Sequence, residues 1–330
     1  MAPQLILSRP WPEDAAAIAA ALADWQVTQW LTAARWPYGA EDAAAFVAGA
    51  GLDEHAVRQG DRLIGMVRAG QTFGIWIAPD QQRRGAGLRA AVLALSRRFL
   101  AGAQVIEATH LEGNAGSARL MQRLGFRQTG TARLWSQPQG RHLPGITLQL
   151  SRADFARLHG VRLTTPRLLI DAVRQDDLPA LQRIATAPEV ARNLLRFRPG
   201  MADEAFAAIF EGDGLLPPMR LVVRHQGQVA GSVGISGGAP GRIFYFLDHR
   251  LAGQGLGQEM VAAFLAEIVA RFDPQELLAD VFLDNPASRR LLKNLGFLRY
   301  EDQMLASMAR EAPAPAAIYR WHWRSQLKGA

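Results

Sequence analysis

One helical pattern occurs twice in this chain. Asn114, Ser117, Arg119, Leu120, Leu124, Gly125 and Phe126 recur in the same register as Asn285, Ser288, Arg290, Leu291, Leu295, Gly296 and Phe297. A glycine-rich turn precedes each copy at nearly the same interval, with 29 residues from Gly85 to Asn114 and 30 from Gly255 to Asn285. A repeat at this distance predicts two copies of one domain. A chain of 330 residues is long enough for both copies to bury a core of their own.

The correspondence extends along both halves. The apolar run Leu5–Leu7 matches Leu168–Ile170, and the acidic pair Glu13–Asp14 matches Asp176–Asp177, each ahead of helical spacing. Strand-like runs follow at 63–67 and 229–233, then at 74–77 and 244–247. After each glycine turn, apolar residues fall on one helical face: Leu88, Ala91, Val92, Leu95 and Phe99, then Leu256, Met260, Ala263, Phe264 and Ile268. A strand is expected around Val105–Ile106 and at 277–282, before each asparagine. A last strand is expected at 146–150 and 318–323. The order β-α-α-β-β-β-α-β-α-β-β predicts an α/β layer fold with a mixed sheet in each half. The seam is placed near Ser151 to Val161, giving domains 1–157 and 161–330, with the pattern restarting at Leu163 to Pro166.

Composition removes several classes of function. The chain has no cysteine, hence no disulfide framework and no thiolate nucleophile. It has no run of about 18 apolar residues, and its first residues do not read as a signal peptide. A cytoplasmic protein that does not enter a membrane is expected. The net charge of +7 divides as +5 over residues 1–160 and +2 over 161–330, almost all of it scattered arginine. Without a basic run interleaved with aromatics, a nucleic-acid partner is not expected. No metal is called for.

The glycine turns read as phosphate cradles. Gln82, Arg83, Arg84, Gly85, Ala86, Gly87 and Leu88 lie between a buried strand and a helix. Gly253, Gln254, Gly255, Leu256 and Gly257 lie in the same context. Unpaired N–H groups and the positive end of the dipole gather at a helix N-terminus, and glycine admits a phosphate close to the backbone. The two arginines of the first turn add charge-assisted donors. Neither turn continues as Gly-Lys-Ser/Thr, and neither has the third glycine of a dinucleotide fingerprint.

Gln82, Gly85 and Gly87 match the Gln/Arg-x-x-Gly-x-Gly/Ala signature of the GNAT superfamily of N-acetyltransferases. The Asn-x-x-Ser and Leu-Gly-Phe elements look like its ribosomal-protein N-terminal acetyltransferase branch. The resemblance spans nearly the whole chain, twice. It implies two tandem GNAT-like domains, each a mixed, largely antiparallel sheet with a parallel splay flanked by helices. Acetyl-CoA would lie in the splay as cosubstrate, its pyrophosphate on the glycine turn. By the same resemblance Ile77 and Leu247 would pair with the pantetheine arm, and Asn114 and Asn285 would hydrogen-bond to it. Ser117 and Ser288 would protonate the departing thiolate, and Trp36 and Tyr38 would line the acceptor groove. Three departures stand out. Ala252 replaces the opening Gln or Arg, Glu259 stands where the first copy has Arg89, and Met121 and Leu292 occupy the position of the usual tyrosine proton donor.

Acetyl transfer from a thioester to an amine needs a neutral amine, a donor for the oxyanion and a proton for the thiolate. Each serine has a structural alternative as the cap of its helix. Glu107 and Asp280 are the nearest candidates for a base, and His110 reads as a packed or surface histidine; the two copies share no base, since Glu107 aligns with Leu278 and Asp280 with Thr109. A weak base favours an α-amine: neutralisation at pH 7 costs about 1.4 kcal/mol for an α-amine and about 4.6 kcal/mol for lysine. The reading is therefore an N-acetyltransferase acting on a primary amine, either a protein N-terminus or a small molecule, with the first copy the more orthodox. The alternatives are another acyltransferase, for instance one acting on an aminoglycoside, and a non-catalytic acyl-CoA-binding or scaffold module for at least one copy. The oligomeric state is not legible.

Overall fold

A computed structural model describes residues 5–212 and 214–322. The chain divides into two compact units, Met1–His159 with Ala270–Phe272, and Gly160–Val269 with Asp273–Ala330. The first holds β1 (Leu5–Ser8), α1 (Asp14–Leu22), α2 (Trp25–Thr28), α3 (Ala40–Gly49), β2 (Glu54–Gln59), β3 (Arg62–Ala69) and β4 (Thr72–Ile77). It continues through α4 (Ala86–Leu100), β5 (Val105–Leu111), α5 (Ala115–Leu124), β6 (Arg127–Ser136), β7 (Arg141–Ser151) and α6 (Arg152–His159). The second holds β8 (Leu163–Thr164), β9 (Leu168–Ala172), α7 (Leu178–Ala185), α8 (Pro188–Ala191), α9 (Asp203–Ala207), β10 (Met219–His225), β11 (Gln228–Ile235) and β12 (Gly241–Leu247). It continues through α10 (Leu256–Phe272, whose last three residues are counted with the first unit), β13 (Leu277–Phe282), α11 (Pro286–Asn294), β14 (Leu298–Leu305) and β15 (Ala314–Trp321).

The sheet order of the first unit is β1-β2-β3-β4-β5-β7-β6. That of the second, read from its far edge, is β8-β9-β10-β11-β12-β13-β15-β14, which is the same order with β8 added. In both, one neighbouring pair at the centre is parallel, β4 with β5 and β12 with β13, and every other pair is antiparallel. The seam differs from a bare linker: α6 fills it, and residue 157 falls inside that helix. The expected final strand of the first half begins earlier, as half of the long β6–β7 hairpin. Trp323, in the expected final strand of the second half, lies outside the described residues.

The repeated thirteen residues are one helix with both of its ends. Asn114 Oδ1 accepts the Ser117 N–H at 3.0 Å, and Asn285 Oδ1 accepts the Ser288 N–H at 3.1 Å, so asparagine caps each N-terminus. Gly125 and Gly296 stop the helices with φ of 94° and 83°. The next N–H then returns to the helix, from Phe126 to the Met121 carbonyl and from Phe297 to the Leu292 carbonyl. Phe126 and Phe297 are buried, which fixes the chain leaving each helix.

The matched acidic pairs also have a structural purpose. Arg58, fully buried, binds the Asp14 carboxylate. At the matching place Arg224 grips Asp177 with two bonds of 2.8 Å. Each arginine follows a bulge at the same register, after Val57 and after Val223. Opposite the bulges, Gly65 and Gly231 leave room for the next strand, where a Cβ would meet the Trp76 or Phe246 carbonyl oxygen at 2.4 or 2.1 Å. Breaking such a pair by removing one partner costs about 3–5 kcal/mol. The helices α1 and α3 cover Ala56, Met66 and Trp76 of the first sheet, and α7 and α9 cover Val222 and Phe246 of the second.

Candidate functional site

The parallel strands part soon after they pair. Ladder pairing between β4 and β5 is limited to Thr72 with Glu107 and Phe73 with Ala108, and that between β12 and β13 to Gly241 with Leu277 and Arg242 with Leu278. Beyond Phe73 the splay is open. The Ala78 N–H donates to the Ile64 carbonyl in β3, so ladder alternation turns the N–H and C=O of Ile75 and Ile77 towards the splay. The Asp248 N–H donates to the Ala230 carbonyl and does the same for Tyr245 and Leu247.

The strand runs into the glycine turn. Gly85 and Gly255 each sit at a helix N-cap in the left-handed region, with φ of 83° and 75°, and neither helix start receives a side-chain cap. Arg83 and Gly253 are left-handed as well, at φ of 59° and 76°. Successive N–H groups therefore converge outward, the geometry of an anion nest. The Gln82 side chain ties turn to strand: its Nε2 donates to the Ile77 carbonyl at 2.9 Å. Ala252 cannot make that tie.

A cavity of about 1190 Å³ joins the first turn to the splay and runs on towards α1–α3. Ile77, Gln82, Arg83, Gly85, Gly87, Leu88, Asn114, Ser117 and Tyr38 all line it. Arg84, Ala86 and Trp36 are not among its lining residues. Ala86 is buried in α4, and Trp36 packs edge-on against Trp25 at 5.0 Å with its ring partly in solvent. That end of the cavity is therefore walled by Trp30, Tyr38 and the apolar floor of Ile18, Leu22, Phe46 and Met66 rather than by Trp36. The β6–β7 hairpin holds that wall in place: the Gln137 N–H donates to the Thr32 carbonyl and Gln139 Nε2 to the Gln29 carbonyl.

Charged and polar groups line the same cavity. Arg35 pairs with Asp42 at 2.5 Å, and Arg68 with Glu54 at 3.5 Å. The Gly39 N–H, followed by Arg35, holds Asp42 below the usual carboxylate range. Burial, then the Asp42 charge, pushes the Tyr38 phenol up. His110 Nδ1 lies 3.0 Å from the Leu111 carbonyl. A carbonyl only accepts, so that contact assigns the neutral ring's proton to Nδ1 and leaves Nε2 as an acceptor. Glu107 is exposed and accepts from Gln149, so it does not serve this cavity. Asp280 is held by Arg242 and Gln303.

The serines differ between the units, and neither caps its helix, because asparagine does. The Ser117 hydroxyl has no hydrogen-bond partner among the described residues and lines the cavity. The Ser288 hydroxyl bonds the Tyr245 hydroxyl at 2.7 Å. Tyr245 stands at the place of Ile75, and burial pushes its phenol up to about 12. The second glycine turn is also clasped. Arg167 donates to the Gln254 carbonyl at 2.8 Å and to Glu259 at 2.7 Å, and Thr165 bonds the same carboxylate.

The family model described as "Acetyltransferase (GNAT) domain" matches residues 4–127 and again residues 167–298. The chain belongs to the GNAT acetyltransferase family. It is an acetyl-CoA-dependent acetyltransferase built from two such domains. No curated protein matches it. Among solved structures it is similar to a GNAT-family acetyltransferase from Bacillus anthracis, at 14% identity over 50% of this chain and 99% of that one, with a TM-score of 0.44. It is also similar to an acetyl transferase from Salmonella typhimurium that modifies the N-terminal serine of a ribosomal protein, at 18% identity over 48% and 96%, with a TM-score of 0.43. A ribosomal-protein alanine acetyltransferase from Vibrio fischeri matches at 15% identity over 49% and 96%, with a TM-score of 0.43. No helix among the described residues is long and apolar enough to cross a membrane.

The first unit's residues fit the cosubstrate. The nest at Gly85 suits a pyrophosphate, the open edge at Ile75 with the Ile77 N–H suits an amide-bearing arm, and Asn114 uses only Oδ1 in its cap, leaving Nδ2 to donate.

Proposed function

We propose that the first unit transfers acetyl from acetyl-CoA to the nitrogen of a primary amine, by direct attack of the amine on the thioester. The observation that carries this reading is the continuous cavity joining the Gly85 turn, the free Ser117 hydroxyl, His110 and the acceptor wall at Tyr38 and Trp30. When bound, acetyl-CoA supplies an activated acyl group. Gln82 to Leu88 hold its diphosphate through the backbone, Ile77 and Asn114 hold its arm, and Arg83 adds charge. His110 Nε2 accepts the amine proton and Ser117 Oγ donates one to the leaving sulfur. Glu54 and Asp42, each already paired with an arginine, shape the acceptor mouth. A single imidazole base suits an α-amine or another amine of low pKa better than a lysine side chain, so the acceptor is a peptide or protein N-terminus or a small-molecule amine.

The second unit is read as non-catalytic. Gly253 to Gly257, Leu247 and Asn285 preserve the backbone of the cosubstrate site. Tyr245 engages the Ser288 hydroxyl, and Glu259 brings a carboxylate to the turn.

The test is acetyl transfer to a panel of amines and peptides, followed by thiol release. On a competent acceptor, His110→Gln should lower kcat about 10²–10⁴-fold. Ser117→Ala should lower kcat about tenfold or more with unchanged coenzyme A affinity. Full turnover in both folded variants would dismiss these roles, and binding without turnover on any acceptor would favour an acyl-CoA-binding module.

A further inference from the structure

We infer that the second unit carries a binding site for an oxyanion, centred on Arg220 and backed by the ring of Phe244. One row of side chains across three strands differs between the units. In the first unit the row reads Glu54, Arg68, Gly74, set by the pairing of β2 with β3 and β3 with β4. All three line the cavity, and Glu54 neutralises Arg68. In the second unit the register-matched row reads Arg220, Gly234, Phe244. The cation has moved to the outer strand, its carboxylate is gone, and an aromatic ring replaces the glycine.

Gly234 makes that arrangement possible. A Cβ there would lie 2.3 Å from the Phe244 ring, so the ring occupies the space a side chain would need. The Arg220 guanidinium then lies 5.0 Å from the ring centroid. A cation held over an aromatic face is fixed in place without its charge being neutralised. Arg220 is half-buried and has no carboxylate partner among the described residues. Burial, and then the charge of nearby Arg196, pulls it below the usual arginine range. A partly desolvated guanidinium with a second one beside it is relieved by an anion, and its planar fork suits a carboxylate or a phosphate. A protonated amine, the acceptor class of the first unit, would be repelled. The ligand class is therefore an oxyanion carried by a peptide or free in solution.

Binding is independent of acetyl transfer, so the test stands apart from the first unit's activity. The full chain is titrated calorimetrically with an N-acetylated, C-amidated acidic peptide and, separately, with inorganic phosphate. Saturable binding of either probe that weakens with salt is expected, and the tighter probe distinguishes the two sources. Arg220→Gln, verified as folded by its thermal melt, should weaken it about tenfold or more, as expected for losing a charge-assisted hydrogen bond. Phe244→Leu should weaken it less, and Arg133→Gln, an exposed arginine of the first unit outside its cavity, should leave it unchanged. No binding of either probe, or equal affinity in wild type and Arg220→Gln, would overturn the site.

Discussion

Ser117 and Ser288 stand at one position of one fold and have different surroundings. Both lie in the first turn of a helix capped by asparagine, below a glycine turn with left-handed residues at matched places. The Ser117 hydroxyl opens on a cavity, with Ile75 at the matched position of the neighbouring strand. The Ser288 hydroxyl is bonded to Tyr245, which replaces that isoleucine. The backbone that would receive a cosubstrate is thus common to both units, and the side chains that would use it are not. The chemistry depends on a few positions facing the splay, while the repeat is maintained by the elements beneath it.

Those elements give the first way to sharpen the comparison. If the units share a scaffold, Arg58→Ala and Arg224→Ala should both destabilise their own units strongly, by about 3–5 kcal/mol, because each leaves a buried aspartate unpaired. Arg58 is the more enclosed, and its loss should cost more. Separate urea transitions for the two units would measure this, and a near-neutral result at either arginine would break the structural equivalence.

A smaller effect separates cap from chemistry. Asn114→Ala and Asn285→Ala should each lose about 1 kcal/mol, the usual cost of an N-cap. Ser117→Ala should stay within about 0.5 kcal/mol of wild type, since its hydroxyl is unbonded. Thermal melts would check both, and a stability loss at Ser117 equal to that at Asn114 would return the serine to a structural role.

A third effect concerns pH. Burial, partly offset by the Ser288 bond, raises the Tyr245 phenol to about 12, above an unfolded value of about 10. The folded state therefore holds the proton more tightly. The resulting stability is fully present below about pH 10 and is lost as pH rises towards 12. Tyr245→Phe should remove that part of the alkaline slope and cost about 1 kcal/mol at neutral pH. Denaturation midpoints followed across that range would test it. An unchanged slope would mean that Tyr245 is not sequestered.

Much of the fold was legible because the repeat supplied two readings of each element. The shared glycines, the Asn-x-x-Ser start and the Leu-Gly-Phe stop are local signals with local causes. The caps are less legible: asparagine at the helix start and serine three residues on each suit the role, and only the backbone shows that asparagine fills it. What the sequence hid was long-range. Glu54 and Arg68 meet through strand register, Tyr245 reaches Ser288 from another strand, and Arg58 finds Asp14 across 44 residues. Only pairing the strands reveals those encounters. Trp36 was drawn towards the groove by its neighbour Tyr38, yet its ring rests on Trp25. His110 looked like an ordinary packed or surface histidine until the splay placed it on the cavity wall.

The central claim is that one of two equivalent folds carries the acetyl transfer. Gly85→Asp and Gly255→Asp test it most directly, because both glycines are left-handed and aspartate strains them alike, so strain cancels in the comparison. Turnover and coenzyme A affinity would be measured on both full-length variants with one competent acceptor. Gly85→Asp should weaken coenzyme A about 100-fold and abolish turnover, by placing a carboxylate against the diphosphate, while Gly255→Asp should keep wild-type turnover. Loss of turnover in Gly255→Asp with Gly85→Asp still active would contradict it.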